Sequence, residues 1–235
     1  MDRPVLPMTT DTAQDIELAI TAQGFTPLGW FHLTGEDDMP AMPDGTPAVT
    51  AMLVGNAGAE MWQRFADACD PQHDLLDDWS RNVLTDLANR LGATARFPFE
   101  KPPLPFQRWA ARTGCVHTSP LGMSIHPVFG LWHAYRAAFA FAEHIPLPSG
   151  TPSASPCNDC ADKPCLSTCP VGAFSGTAYD VPACAAHITT TDGTDCLDLG
   201  CRARRACPVG RDYIYDPAQA RFHMTAFARA WTNII

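Results

Sequence analysis

Eight of the chain's ten cysteines fall between Cys157 and Cys207, and this crowding constrains the segment more than any other feature. The stretch is short and poor in large aliphatic residues, so it cannot fold on an apolar core of its own. Something other than hydrophobic burial must hold it together. Disulfides are rare in a reducing cytosol. Clustered cysteines in such a compartment more often bind metal, and metal ligation supplies the folding energy that burial lacks. Cys69 and Cys115 stand alone, with no partner spacing around them, and read as inert buried thiols.

The rest of the 235 residues supports a sizeable core. Hydrophobic residues make up 46% and charged residues only 17%, which argues against long disordered tracts. The formal charge of −9 repels polyphosphate, so nucleic acid is not an expected partner. The start, Met1-Asp2-Arg3-Pro4, shows no basic region followed by an apolar run, so no signal peptide is expected. The most apolar stretch, near Phe139, is interrupted by Arg136 and Glu143. That is too short for a membrane span. The expectation is a soluble, cytoplasmic protein with no membrane partner.

Upstream of the cysteines, helical and strand patterns alternate. Helical spacing runs from Asp11 to Gln23 and stops at Gly24, with strands expected over Phe25–Leu33 and Ala48–Val54. Helices follow at Glu60–Cys69 and Asp74–Leu91, the latter with Leu76, Trp79, Val83 and Leu87 on one face. A short helix is expected at Phe106–Arg112, and Met123–Phe141 reads as two strands of a hairpin around a Pro127–Gly130 break. Pro146–Pro156 has linker composition. Pro217–Trp231 is an amphipathic helix with Met224, Phe227 and Trp231 on one side, expected to pack back on the body. The fold class is α+β, in three parts: 1–145, an α+β domain; 157–210, a cysteine-rich domain; and 216–232, a packing helix.

The cysteine spacing is specific. The first run is Cys157-x2-Cys160-x4-Cys165-x3-Cys169-Pro170, two residues longer than the bacterial ferredoxin run C-x2-C-x2-C-x3-C-P. The second group is Cys184, then Cys196-x4-Cys201-x5-Cys207-Pro208. The word Cys-Pro-Val-Gly ends both groups, at 169–172 and 207–210. A cubane needs four soft thiolates around it. In two-cluster ferredoxins the cysteine before proline serves the other cluster. That logic gives Cys157, Cys160, Cys165 and Cys207 to one 4Fe–4S cluster and Cys169, Cys184, Cys196 and Cys201 to a second. Two zinc sites are the alternative, but zinc ribbons and knuckles usually show histidine ligands or paired C-x2-C turns. Here there is one C-x2-C, and His187 is the region's only histidine.

The cysteine layout resembles the ferredoxin-like part of epoxyqueuosine reductases and of their relatives, the corrinoid-dependent reductive dehalogenases. Three pieces match: Cys-Pro-Val-Gly-Ala-Phe from Cys169, the isolated cysteine in Pro182-Ala-Cys184-Ala-Ala-His187, and the closing run from Cys196 to Gly210. The stretch from Gly122 to Phe139 resembles the I-H-P-x-F-G-x-W-x-A-x-R segment of the cobalamin-processing (decyanase and trafficking) family. It matches at Ile125, His126, Pro127, Phe129, Gly130, Trp132, Ala134 and Arg136. The two resemblances imply a nitroreductase-like α+β N-terminal domain followed by a ferredoxin-like two-cluster domain. They also imply a corrinoid, cobalamin or a relative, contacted by His126, Phe129, Gly130, Trp132 and Arg136. The helical-repeat tail of epoxyqueuosine reductases has no counterpart after Gly210, and no basic stretch suggests tRNA binding.

The reading is an iron–sulfur redox protein whose clusters pass electrons to a cofactor or small-molecule substrate in the N-terminal domain. An electron-donor protein or small reductant would feed it. A ferredoxin-type carrier with a partner-docking N-terminal domain is the alternative, and a structural zinc protein is a third. Trp30, Phe31, Phe106, Trp109, Phe129 and Trp132 are read either as walls for a flat ring or as core.

Overall fold

The computed structural model describes residues 10–71, 75–147 and 154–232. The chain divides into two compact units: residues up to 56, 67–115 and 134–152 form the first, and 57–66, 116–133 and 153–235 the second. The second therefore includes two segments that the sequence patterns group with the N-terminal domain. Residues 148–153 of the expected linker and Asp74, the expected start of a helix, lie outside the described residues.

The fold is α+β. In chain order the first elements are α1 (Thr10–Ala22), β1 (Thr26–His32), β2 (Thr50–Ala57), α2 (Glu60–Ala68), α3 (Leu76–Arg90), β3 (Thr94–Arg96) and α4 (Phe106–Arg112). They are followed by β4 (His117–Thr118), β5 (Ser124–Ile125) and β6 (His133–Phe141). Strand order in the main sheet is β1-β2-β6-β3, with β1/β2 and β3/β6 antiparallel. Ala51, Met52, Leu53 and Val54 are fully buried along β2, as an unbroken apolar run requires. On α3 the buried face is Leu76, Ser80, Leu84, Leu87 and Ala88, with Trp79 and Val83 at its edge. That is a rotation from the stripe expected. Trp79 instead stacks on Phe25, ring centroids 5.5 Å apart. Trp30, Phe31, Phe106 and Trp109 are all core, and Trp109 Nε1 donates to the Asp37 carbonyl at 2.7 Å.

The expected hairpin over Met123–Phe141 does not form. Ser124–Ile125 pairs backwards with His117–Thr118, and β6 joins the main sheet between β2 and β3. Between them His126 and Gly130 exchange backbone hydrogen bonds of 2.9 Å and close a tight turn. The long run of β6 finds more partners in a sheet than two residues of β5 can offer.

The cysteine-rich region carries only short helices: α5 (Pro164–Ser167), α6 (Val181–Ile188), α7 (Thr194–Leu199) and α8 (Arg202–Arg205). The long closing helix α9 (Pro217–Thr232) packs on α6 and α7 and brings Phe222 against Trp62 of α2, centroids 5.1 Å apart. Among the described residues no helix is long and apolar enough to cross a membrane.

Candidate metal centre

The eight clustered cysteines all lie in the second unit, where they line two cavities. Cys157, Cys160, Cys165 and Cys207 line the first, a space of about 370 Å³ including its open mouth. Cys169, Cys184, Cys196 and Cys201 line the second, about 300 Å³ on the same measure. The two sets do not mix.

Local chemistry explains how each cysteine is placed. Ser155 Oγ accepts the Cys157 N–H at 3.3 Å and starts the first turn. Lys163 takes a left-handed backbone, φ 38°, and Pro164 then opens α5 with Cys165 in its first turn. The two residues by which this run exceeds the ferredoxin spacing are absorbed in that bend. One turn later Cys169 has left α5, and its sulfur accepts the Ala173 N–H at 3.3 Å. The Asp180 carboxylate caps α6 by accepting the Ala183 N–H at 3.0 Å, which sets the helix that carries Cys184. Cys196 rides on α7, and Cys201 stands at the N-cap of α8. Asp195 accepts from both Arg202 and Arg205 and ties α7 to α8. These two guanidiniums hold the Asp195 carboxyl below the ordinary carboxylate range.

The closing turn is docked by glycines. A Cβ on Gly130, φ 57°, would stand 2.0 Å from the Val209 carbonyl oxygen, and one on Gly210, φ 73°, would stand 2.3 Å from the Phe129 carbonyl. Only glycine allows this backbone contact. The 126–130 turn thus lies directly on the second Cys-Pro-Val-Gly.

The sulfurs sit in surroundings that oppose charge. Burial raises the Cys157, Cys165, Cys184 and Cys207 thiols, and neighbouring cysteines of the same cavity add to each rise; at Cys184 the Tyr179 hydroxyl acts in the opposite sense. Burial pushes Cys201 up to about 11; the Ala203 and Arg204 N–H groups offset part of this without reaching hydrogen-bond geometry at the sulfur. Four crowded thiolates need a positive centre among them, and a metal deprotonates such thiols outright. Each cavity also holds an orphaned polar atom: Ser119 Oγ in the first and His187 Nε2 in the second are buried without a partner among the described residues. These donors, with the soft ligand set, fit a sulfur-rich cluster. Among the described residues no three His, Cys, Asp or Glu side chains converge as a single ion requires.

The five residues expected to touch a flat cofactor are distributed differently. His126 stacks on Phe129, centroids 4.4 Å apart, and its Nδ1 accepts the Val128 and Phe129 N–H groups at 3.1 and 3.3 Å. Gly130 is occupied by Val209. Trp132 is 1% exposed, edge-on to Tyr215, with the Arg204 guanidinium 4.2 Å above its ring. Arg204 also donates twice to the Leu131 carbonyl. Arg136 belongs to the first unit, where it donates to Asn56 at 3.1 Å and pairs with Asp77 at 3.5 Å. None of the five lines a cysteine cavity. Cys69 and Cys115 fall in the first unit, apart from the eight in sequence and in unit. Sequence reasoning missed Ser119 and Tyr179, which carry no motif. It considered His187 only as a zinc ligand, although its place three residues after Cys184 on a helix puts both on one face.

No protein-family profile matches the chain, and no curated protein matches its sequence. Solved structures do match in fold. A C. elegans B12-trafficking protein CblC, a human MMACHC homologue, aligns over 95% of this chain and 96% of its own, with TM-score 0.54 and 14% identity. Epoxyqueuosine reductase crystallised with an epoxyqueuosine-modified tRNA-Tyr stem loop aligns over 89% of this chain and 70% of its own, with TM-score 0.51 and 17% identity. A selenomethionine-labelled epoxyqueuosine reductase gives TM-score 0.50 and 16% identity over 91% and 69%. A B12-trafficking protein and epoxyqueuosine reductases therefore share this chain's fold, and at such identities the likeness is one of fold.

Proposed function

We propose that the second unit is a ferredoxin-like module holding two 4Fe–4S clusters, one on Cys157, Cys160, Cys165 and Cys207 and the other on Cys169, Cys184, Cys196 and Cys201. The observation that carries this is the sorting of eight cysteines into two separate fours, each around its own cavity. When bound, the clusters supply one-electron transfer. The chain's own part is to hold eight thiolates, exclude water from them and place N–H and O–H donors around them. Anaerobically reconstituted protein is expected to hold about eight irons and eight sulfides per chain. Stoichiometric zinc with negligible iron overturns the reading.

The electron acceptor in this reading is a corrinoid or a small substrate handled by a nitroreductase-like N-terminal part. Its support is the fold shared with a B12-trafficking protein over nearly the whole chain. One observation favours the carrier reading instead: Gly130, Trp132 and Arg136 are already engaged within the protein. Only His126 and Phe129 remain half-buried at the turn. Titration with cobalamin, followed by visible spectrum and tryptophan fluorescence, decides between them. Binding weaker than about millimolar, ~4 kcal/mol, leaves the electron carrier as the function.

A further inference from the structure

We propose that His187 donates its Nε2–H to the second cluster and, together with the Tyr179 hydroxyl at Cys184, raises that cluster's reduction potential. The inference rests on the two-cluster reading and assigns roles to two residues outside the ligand set.

His187 lines the second cavity with all four of its cysteines, and its Nε2 is buried without a partner among the described residues. A buried donor with no acceptor is costly, so its place is explained if an acceptor fills the cavity. Cluster sulfur is such an acceptor. The helix end that carries the ring is held in place. His187 stands one turn after Cys184 on α6, and its carbonyl accepts from Thr190 N at 3.0 Å and Thr190 Oγ1 at 2.7 Å. A Cβ at Gly193 would stand 1.9 Å from that carbonyl, so the following turn presses on the helix end.

Tyr179 is held beside Phe174. Its ring stacks on Phe174, centroids 4.5 Å apart and planes 11° apart, and also faces Phe227 at 6.5 Å. A backbone bridge joins Phe174 to Tyr179, and Phe174 lines the cavity. The Tyr179 hydroxyl lies within interaction range of the Cys184 sulfur, and in this proposal it donates to that sulfur once the cluster is in place. Reduction adds one electron to the cluster and makes its sulfurs better acceptors. Both hydrogen bonds then strengthen, most in a dry cavity, and the reduced state gains more than the oxidised one. No bond forms or breaks, and the hydrogens stay on His187 and Tyr179.

The test is a dithionite titration of reconstituted holoprotein, with each cluster's midpoint read by electron paramagnetic resonance and the first cluster as internal reference. His187→Phe and Tyr179→Phe are each expected to make the second cluster about tenfold harder to reduce, ~59 mV for one electron, with the first unmoved. His187→Gln, which keeps an N–H donor, is expected to restore most of the shift. In wild-type protein labelled with 15N-histidine, an imidazole nitrogen coupling is expected on the reduced second cluster and not in His187→Gln; this readout needs no phenylalanine variant to fold. Eight irons with midpoints unmoved in both phenylalanine variants, or no imidazole coupling in the wild type, overturns the inference alone. Absence of iron overturns the two-cluster reading and the inference with it.

Discussion

The two cysteine cavities are built in different ways. The second is assembled almost wholly from one continuous stretch, Cys169 to Ala203, with only Met224 arriving from elsewhere. The first takes Ser119, Pro120, Ile125 and Leu131 from well upstream and closes with Cys207, Pro208 and Val209 from beyond the second. The difference shows in the two copies of Cys-Pro-Val-Gly. Gly172 and Gly210 both have positive φ, 58° and 73°, yet around Gly172 there is open space, whereas Gly210 is pressed against Phe129. The repeated word is one local turn. Distant chain covers one copy and leaves the other bare.

The most severe way to break this comparison is to remove one ligand from each set. Cys207→Ser is expected to lose the first cluster and keep the second, and Cys184→Ser the reverse, so that about four of eight irons remain in each. Iron analysis with cluster-resolved electron paramagnetic resonance checks this, and a Cys207→Ser protein that keeps its first cluster breaks the assignment. Next in size is the glycine pair. Gly210→Ala adds a clash with Phe129 to the left-handed penalty and should cost about 3–4 kcal/mol. Gly172→Ala meets only the penalty, about 1 kcal/mol. Denaturant unfolding of both, compared with wild type, measures the gap; equal costs would show that the docking contributes nothing.

A third prediction uses pH. His133 follows the segment that walls the first cavity; burial, with His126 and Arg204 nearby, lowers it from 6.5 to about 4. Its folded pKa lies below its unfolded one, so between them the unfolded chain binds more protons. Stability is therefore full above about 6.5, falls as the pH drops, and levels off below about 4, a loss of about 3 kcal/mol. Urea unfolding across that range should show the slope, and His133→Gln should flatten it. The smallest effect belongs to the second cavity. Asp180→Ala removes the cap of α6 and should cost about 1 kcal/mol, with the Cys184 cluster lost on heating before the Cys157 cluster.

The same division separates what was legible in the sequence from what was not. Cysteine spacing and the Cys-Pro rule divide the eight cysteines into two fours, because the order of the cysteines is a local property of the chain. Helices α1, α2 and α4 and strand β1 fall within a residue or two of their expected limits, since periodicity and stop signals are local too. The departures are all long-range. Nothing in Met123–Phe141 shows that β5 turns back to His117 or that β6 inserts between β2 and β3. Nor does any local pattern reveal that Gly130 packs on Val209, or that Ser119 lines the same cavity as Cys157. Those contacts depend on partners that lie far away along the chain.

In the two-cluster reading, the order of the eight cysteines has a consequence for how the unit is made. Every cysteine of the second cavity lies between Cys165 and Cys207, so the first set encloses the second as an outer clasp encloses an inner one. A chain emerging from the ribosome presents the inner four complete while the outer set still waits for its last member. Closing the inner site first also shortens the slack that the outer one must span, and each halving of a loop saves about 0.6 kcal/mol. Synthesis and entropy thus favour one sequence of assembly, inner before outer.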